Sequence, residues 1–315
     1  MHLHFPAIAI IGPTGVGKTA LSLAVAERFG CEIVSVDSMQ VYRYMDIGTA
    51  KASPAERARV PHHLLDVADP DEEYSVARYI EDAAAAIEGI RQRGHLPLLV
   101  GGTGLYLRGL TDGLFEMPPC PETIRQGLRE RLAQEGAAAL HAELARVDPQ
   151  TAARIHVNDT YRLLRGLEIL QATGVSWSAH LARGRQDARV PLILKIGLTW
   201  EREILYERIN QRVGQMVEQG LLAEVRELLE RGYGPELKPM QAIGYRHMVE
   251  YLRGDRDWPA TTELLARDTR RYAKRQYTWF RPDPAIHWFE PVRTEEMFSR
   301  INAFLTEHGA LANSL

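Results

Sequence analysis

A chain of 315 residues, 45% of them hydrophobic, is long enough to bury a sizeable core in one large domain or two modest ones. A net charge of −3 excludes global attraction to nucleic acid, so any such binding must come from a local patch. Two distant cysteines, Cys31 and Cys120, exclude a zinc finger and a disulfide framework and fit a reducing compartment. No apolar stretch is long enough to span a membrane and Met1 to Phe5 lack a basic signal region, so a cytoplasmic protein is expected.

The first element is the apolar run Ala7 to Ile11, which reads as a buried strand. It leads into Gly12-Pro13-Thr14-Gly15-Val16-Gly17-Lys18-Thr19 and then into the helical pattern of Leu21 to Phe29. This is G-x-x-x-x-G-K-T with a strand before it and a helix after it, the setting a phosphate loop requires. Its glycines let consecutive backbone N–H groups point inward at phosphate oxygens, and the helix start adds its positive dipole end. Lys18 reaches the outer phosphates and the Thr19 hydroxyl is placed to ligate Mg2+. What the phosphates are attached to is left open by the motif.

Cys31 to Asp37 reads as a second strand, residues 75 to 93 as an alanine-rich helix, and Leu96 to Val100 as a third, buried strand. Near-continuous apolar strands separated by helices predict a parallel sheet covered on both faces, with ligands beyond the carboxyl ends of its strands. The pattern breaks at Met117-Pro118-Pro119-Cys120-Pro121, and from 122 to 185 only helical periodicity remains. Leu192 to Leu198 restores a sheet strand; 201–231 and 256–280 are helical, Ile286 to Phe289 is a last strand, and a terminal helix and tail follow 292. The fold class is therefore α/β: a P-loop NTPase-like parallel sheet flanked by helices, with an all-helical insertion domain. The core is assigned to 1–116 and 191–315, the insertion to 117–190.

Asp37, ending the second strand, places a carboxylate near the phosphate loop, and Asp37-Ser38-Met39-Gln40 presents an acid, a hydroxyl and an amide. A turn-capping role for Asp37 is equally compatible with its position. The third strand ends in Gly101-Gly102-Thr103-Gly104, where many nucleotide hydrolases of this architecture carry a magnesium-binding acid. Three glycines instead permit close backbone approach to a ligand, with Thr103 able to donate or accept a hydrogen bond. Arg267, Arg270, Arg271, Lys274 and Arg275 form one helical stripe diluted only by Asp268, followed by Tyr277, Trp279, Phe280 and Arg281; this suits a nucleic-acid backbone. His62-His63 lacks a third ligand at suitable spacing, so a metal site there is not expected.

Taken together these segments resemble the bacterial tRNA dimethylallyltransferases, also called tRNA isopentenyltransferases. The matching pieces are Gly12 to Thr19, Asp37 to Arg43, Asp46 to Lys51, His62 to Asp66, Gly101 to Tyr106, Arg162 to Glu168, Gln241 to Tyr245 and Arg275 to Arg281. They span nearly the whole chain in family order. A P-loop alone is widely shared; the set is specific.

The resemblance implies transfer of a dimethylallyl group from dimethylallyl diphosphate to N6 of the adenosine at tRNA position 37, 3′ of the anticodon. The P-loop would then hold the prenyl diphosphate rather than ATP, with Lys18 and Mg2+ on Thr19 stabilising the leaving group. Asp37 matches the family's general base and Thr103 its partner at the reacting centre. Family contacts to the tRNA anticodon stem-loop carry over to Asp37, Ser38, Met39, Gln40 and Thr103 in the core. In the insertion they carry over to Arg125, Tyr161, Arg162, Leu163, Leu164 and Arg165. Beyond it they fall on Gln241, Ala242, Ile243, Gly244, Tyr245 and Arg246, and Lys274, Arg275 and Arg281 are assigned to tRNA with them. A monomer with no membrane partner is expected. The rival readings are an adenylate isopentenyltransferase acting on AMP or ATP, a P-loop small-molecule kinase, and a non-catalytic RNA-binding module that would leave the P-loop and Asp37 unexplained.

Overall fold

The computed structural model describes residues 6–113, 120–182, 190 and 192–310. The chain divides into two compact units, 1–111 with 189–315, and 112–188. The sequence reading set these boundaries at 117 and 190.

The first unit is built on six parallel strands in the order β3-β2-β4-β1-β5-β6. These are β1 (Ala7–Ile11), β2 (Cys31–Val36), β3 (His62–His63), β4 (Leu96–Gly101), β5 (Ile193–Leu198) and β6 (Ile286–Phe289). Every residue of β1 and β2 is buried, as a sheet covered on both faces demands. The covering helices are α1 (Lys18–Phe29), α2 (Pro54–Arg59), α3 (Val76–Gln92) and α4 (Gly104–Asp112) from the first half. From the second half come α9 (Arg202–Glu218), α10 (Leu221–Glu230), α11 (Tyr245–Leu252), α12 (Trp258–Phe280) and α13 (Thr294–Glu307). Ile8, Ile10, Leu98 and Ile196 from the strands pack with Leu23 and Val25 of α1 and Ile209 of α9 in one apolar core.

The second unit contains α5 (Glu122–Val147), α6 (Pro149–Ala152), α7 (Thr160–Thr173) and α8 (Trp177–Ala182), and no strand among its described residues. Leu128, Leu140 and Leu144 of α5 close a small core with Leu163 and Leu167 of α7. Gly136, at φ 82°, breaks the helical path of α5, a conformation glycine adopts without a Cβ penalty.

Register fixes the site. Gly101 of β4 lies opposite Ile11 of β1 on one side and Val36 of β2 on the other. The phosphate loop, Asp37 and the Gly102-Thr103 turn thus leave the sheet in one row. Strands spaced about 4.8 Å apart set the start of the P-loop roughly 10 Å from Asp37, with β4 between them.

Candidate active site

At this edge of the first unit lies a cavity of about 1170 Å³, lined by the P-loop, Asp37 to Gln40, Gly48 to Ala50, Arg208, Arg212, Gln241 to Gly244, Tyr272, Arg275 and Gln276. Residues 12–19 wrap as the motif requires, with Gly12, Gly15 and Gly17 all at positive φ and Gly17 serving as the left-handed N-cap of α1. A Cβ on Gly12 would stand 2.8 Å from the Leu198 carbonyl oxygen, and one on Gly15 2.9 Å from Ile209. The loop is braced from outside. The Trp200 indole N–H donates to the Val16 carbonyl at 3.1 Å, and Arg208 Nε donates to that of Gly15 at 3.0 Å.

The Lys18 ammonium donates to the Gly12 and Pro13 carbonyls, each at 2.9 Å. Burial, and then the Arg212 guanidinium, push it down to about 7, while Asp37 pulls the other way. Arg212 is itself drawn below its ordinary range by burial, with Asp37 again opposing. Two half-hidden cations in one cavity are costly unless an anion joins them. Arg212 was missed in the sequence. The signal was there: Arg208 and Arg212 stand at i and i+4 on α9, which follows β5, the strand next to the phosphate-loop strand.

Across β4, Asp37 Oδ1 accepts the backbone N–H groups of Met39 at 2.8 Å and Gln40 at 3.3 Å. The turn-capping role is therefore real, and it leaves Oδ2 for a ligand. Thr103 Oγ1 accepts the Ser38 N–H at 3.0 Å, tying the two strand-end turns together. Tyr272 of α12 pairs with the Thr103 hydroxyl, and its own hydroxyl is held protonated by burial and by Asp37. Tyr79 and Tyr106 stack with centroids 3.9 Å apart, and burial together with Asp37 raises both.

The glycine turn after β4 is sterically required. A Cβ on Gly102 would collide with the Gln276 amide, and one on Gly104 with the Trp279 indole. Gln276, buried at 6% exposure, was also missed as a site residue: Oε1 accepts the Thr14 N–H at 2.9 Å and Nε2 donates to the Gly102 carbonyl at 3.0 Å.

Oxygen donors suited to magnesium are present. Thr19 is exposed on the first turn of α1 and lines the cavity together with Asp37. Among the described residues no cluster of three His, Cys, Asp or Glu could hold a metal. Magnesium characteristically takes one or two protein oxygens and completes its shell with phosphate oxygens and water, a donor set these residues fit.

The basic stripe is more internally paired than its sequence suggests. Asp268 lies against Arg246 and 3.3 Å from His247, and 3.6 Å from each of Arg267 and Arg271. Arg270 donates to Asn210 at 2.6 Å. Lys274, Arg275 and Arg281 stay exposed, as does Trp279 one turn beyond Arg275. Two residues assigned to RNA turn their side chains inward. Tyr245 is fully buried with its hydroxyl 2.7 Å from Glu224, and Leu163 is fully buried in the helical unit's core. In that unit Tyr161 is 81% exposed beside the exposed Arg162, which pairs with Asp159; Leu164 is partly buried. Arg165 lies 2.8 Å from Glu168, and Arg125 3.4 Å from Glu122. His63 is engaged by Glu32 at 2.6 Å, while its neighbour His62 lines the cavity.

Comparison with known proteins places this site in a family. The IPP transferase family model matches residues 40–283 and the isopentenyl transferase model residues 6–66. The tRNA dimethylallyltransferase of Desulfotalea psychrophila is 49% identical over 302 residues, covering 96% of each chain. That of Geobacter sulfurreducens is 50% identical over 283 residues, covering 90% of this chain and 91% of its own. Among solved structures, the tRNA isopentenylpyrophosphate transferase of Bacillus halodurans aligns with a TM-score of 0.70 at 41% identity, covering 98% of this chain and 99% of its own. A eukaryotic dimethylallyltransferase acting on tRNA aligns with a TM-score of 0.80 at 29% identity, covering 96% and 80%. The chain belongs to the IPP transferase family.

Proposed function

We propose that this protein transfers a dimethylallyl group from dimethylallyl diphosphate to N6 of the adenosine at position 37 of tRNA, releasing diphosphate. The observation that carries this reading is the row of strand ends. An anion cradle with Lys18 and Arg212 stands two strands away from a carboxylate, with β4 and its glycine-threonine turn between them.

An allylic C–O bond breaks readily once the leaving diphosphate is neutralised. The P-loop amides, Lys18 and Arg212 supply that stabilisation where the charge develops. Thr19 would hold magnesium, which adds charge neutralisation on the same oxygens. The exocyclic adenine amine is a weak nucleophile because its lone pair is delocalised into the ring. As the bond from C1 of the prenyl group to N6 forms, the N6 proton passes to Asp37, while Thr103 fixes the turn carrying that acid. The base must leave its stack to enter a strand-end cavity, and the exposed Lys274, Arg275 and Arg281 support engagement of the RNA backbone around the anticodon stem-loop. We assign Arg125, Tyr161 and Arg162 of the helical unit to the same partner, on the strength of exposure and charge. We take the enzyme as a monomer, and no helix among the described residues is long and apolar enough to cross a membrane. A cytoplasmic enzyme fits these properties.

Incubation with labelled dimethylallyl diphosphate and unmodified tRNA, followed by nucleoside analysis, tests the reading. Label in N6-isopentenyladenosine is expected. Label transferred to AMP but not to tRNA would instead make it an adenylate prenyltransferase, and thermal protection by ATP but not by the prenyl donor would favour a kinase.

A further inference from the structure

Residues Tyr44 to Ala50 follow an unfavourable path. Tyr44 at φ 66° and Ala50 at φ 46° are both left-handed without being glycine, a conformation that must be held by its surroundings. Two carboxylate systems hold it. On one side the buried Lys51 ammonium donates to the Tyr42 carbonyl, Asp46 and Asp66, each at 2.7 Å. On the other, Glu224 of α10 reaches in from 176 or more residues away. Its Oε2 accepts the N–H groups of Asp46 at 3.0 Å and Ile47 at 2.7 Å, and Oε1 accepts those of Gly48 at 3.1 Å and the Tyr245 hydroxyl at 2.7 Å.

Four donors converge on one carboxylate, and a carboxylate alone among side chains is acceptor-only at both atoms. Tyr245 packs so tightly on the segment that a Cβ on Gly48 would stand 2.5 Å from its ring. The segment in turn holds a cavity side chain. Gln40 Nε2 donates to the Thr49 carbonyl at 3.2 Å and that of Ala50 at 3.3 Å, while its backbone N–H is on Asp37. Gly48, Thr49 and Ala50 line the cavity on the same side as Gln40 and Asp37. Glu224 lines none of it.

We propose that Glu224 is a positioning residue for the acceptor: it clamps the 46–48 backbone, between the left-handed Tyr44 and Ala50, and, through Thr49, Ala50 and Gln40, sets the wall against which the nucleoside lies beside Asp37. This rests on the prenyl-transfer reading above. The phosphate cradle, braced by Trp200, Arg208 and Gln276, is independent of the clamp.

The test is steady-state kinetics of the full-length Glu224→Gln and Tyr245→Phe proteins with both substrates varied, alongside thermal melting and amide exchange at residues 46–48. Glutamine keeps the size but turns two N–H donors toward donors. Glu224→Gln is expected to raise KM for tRNA by about tenfold or more and to deprotect the three amides, with KM for dimethylallyl diphosphate within about twofold of the parent. Tyr245→Phe, which removes one of the four donors, should shift KM for tRNA in the same direction by a smaller factor, and it stands in should the first variant fail to fold. Unchanged KM for tRNA, or an equal rise in both KM values with a lowered melting temperature, overturns the assignment and leaves Glu224 a structural residue. A parent protein that prenylates no RNA overturns the functional reading instead, and the acceptor role with it.

Discussion

Gln276 holds Thr14 and Gly102 at once, its carbonyl oxygen on the N–H of one and its amide on the carbonyl of the other. One buried side chain from α12 thereby couples the phosphate loop to the turn that carries Thr103. Gln276→Ala should weaken binding of inorganic pyrophosphate by about tenfold, the usual effect of losing buried hydrogen bonds in a charged site. Gly102→Ala should produce a similar loss from the other side, because its methyl group would displace the same amide. Titration calorimetry with pyrophosphate reads both, and undisturbed affinity in the two variants would show that the bridge carries no load.

Asp37 has two tasks that substitution can separate. Asparagine retains an Oδ1 able to cap Met39 and Gln40 but cannot take a proton from the adenine amine. Asp37→Asn is expected to cut turnover by about 10²- to 10⁴-fold with pyrophosphate affinity preserved. Asp37→Ala should lose the turn as well and melt at a lower temperature. Turnover in Asp37→Asn close to the parent's would remove Asp37 as the base.

Lys18 supplies a pH signature. Its ammonium, pushed down to about 7 in the ligand-free protein by burial and Arg212, is restored by a bound diphosphate. Diphosphate affinity is therefore full below pH 7 and declines as pH rises above it, with proton uptake on binding. The same shift opposes folding while the unfolded chain is protonated and the native lysine is not. Ligand-free stability consequently rises with pH between about 7 and the ordinary lysine value of 10.5. Calorimetry in buffers of differing ionisation enthalpy measures the uptake, and pH-independent binding between pH 6 and 9 would contradict it.

At the far end of the sheet, Glu32 is only 3% exposed and meets Arg93 at 2.6 and 2.9 Å, His63 at 2.6 Å and His95 at 2.7 Å. The Arg93 hydrogen bonds, followed by those of the two imidazoles, bring its carboxyl down to about 2 against the opposing effect of burial. A depressed carboxyl stabilises the fold above its unfolded value near 4.5 and loses that contribution as pH falls toward 2. Glu32→Gln should lower stability at neutral pH by about 1–3 kcal/mol and flatten the acid limb of the melting curve without changing KM for either substrate. A parallel acid limb in the variant would assign acid lability elsewhere.

The sheet was legible because its strands are apolar runs with strong punctuation, and Cys31 to Val36, Leu96 to Gly101 and Ile193 to Leu198 lie within a residue or so of where the pattern set them. His62–His63 gives no strand signal, since two residues carry no periodicity; they pair with Ile33 and Val34 only in the folded sheet. The helix at 104–112 was hidden behind a glycine turn, and α11 behind the Gly244 bend. Site residues announced by a motif, such as Lys18 and Asp37, could be found locally. The roles of Arg212, Gln276 and Glu224 could not, because each acts on a segment more than 170 positions distant, and neither the i, i+4 arginines of α9 nor the Arg275–Arg281 motif says which segment that is. Tyr245 and Leu163 stand in recognisable motifs, yet their side chains serve packing.

The alignment of Ile11, Gly101 and Val36 in one row has a consequence for how the family's chemistry can vary. The spacing of the strand ends that carry the phosphate loop and Asp37 is ruled by hydrogen-bonded backbone. Substitutions can therefore retune charge, widen the pocket or change a side chain's length, yet they leave those two anchor points where they are. A longer or shorter separation of the anchors would need a different sheet.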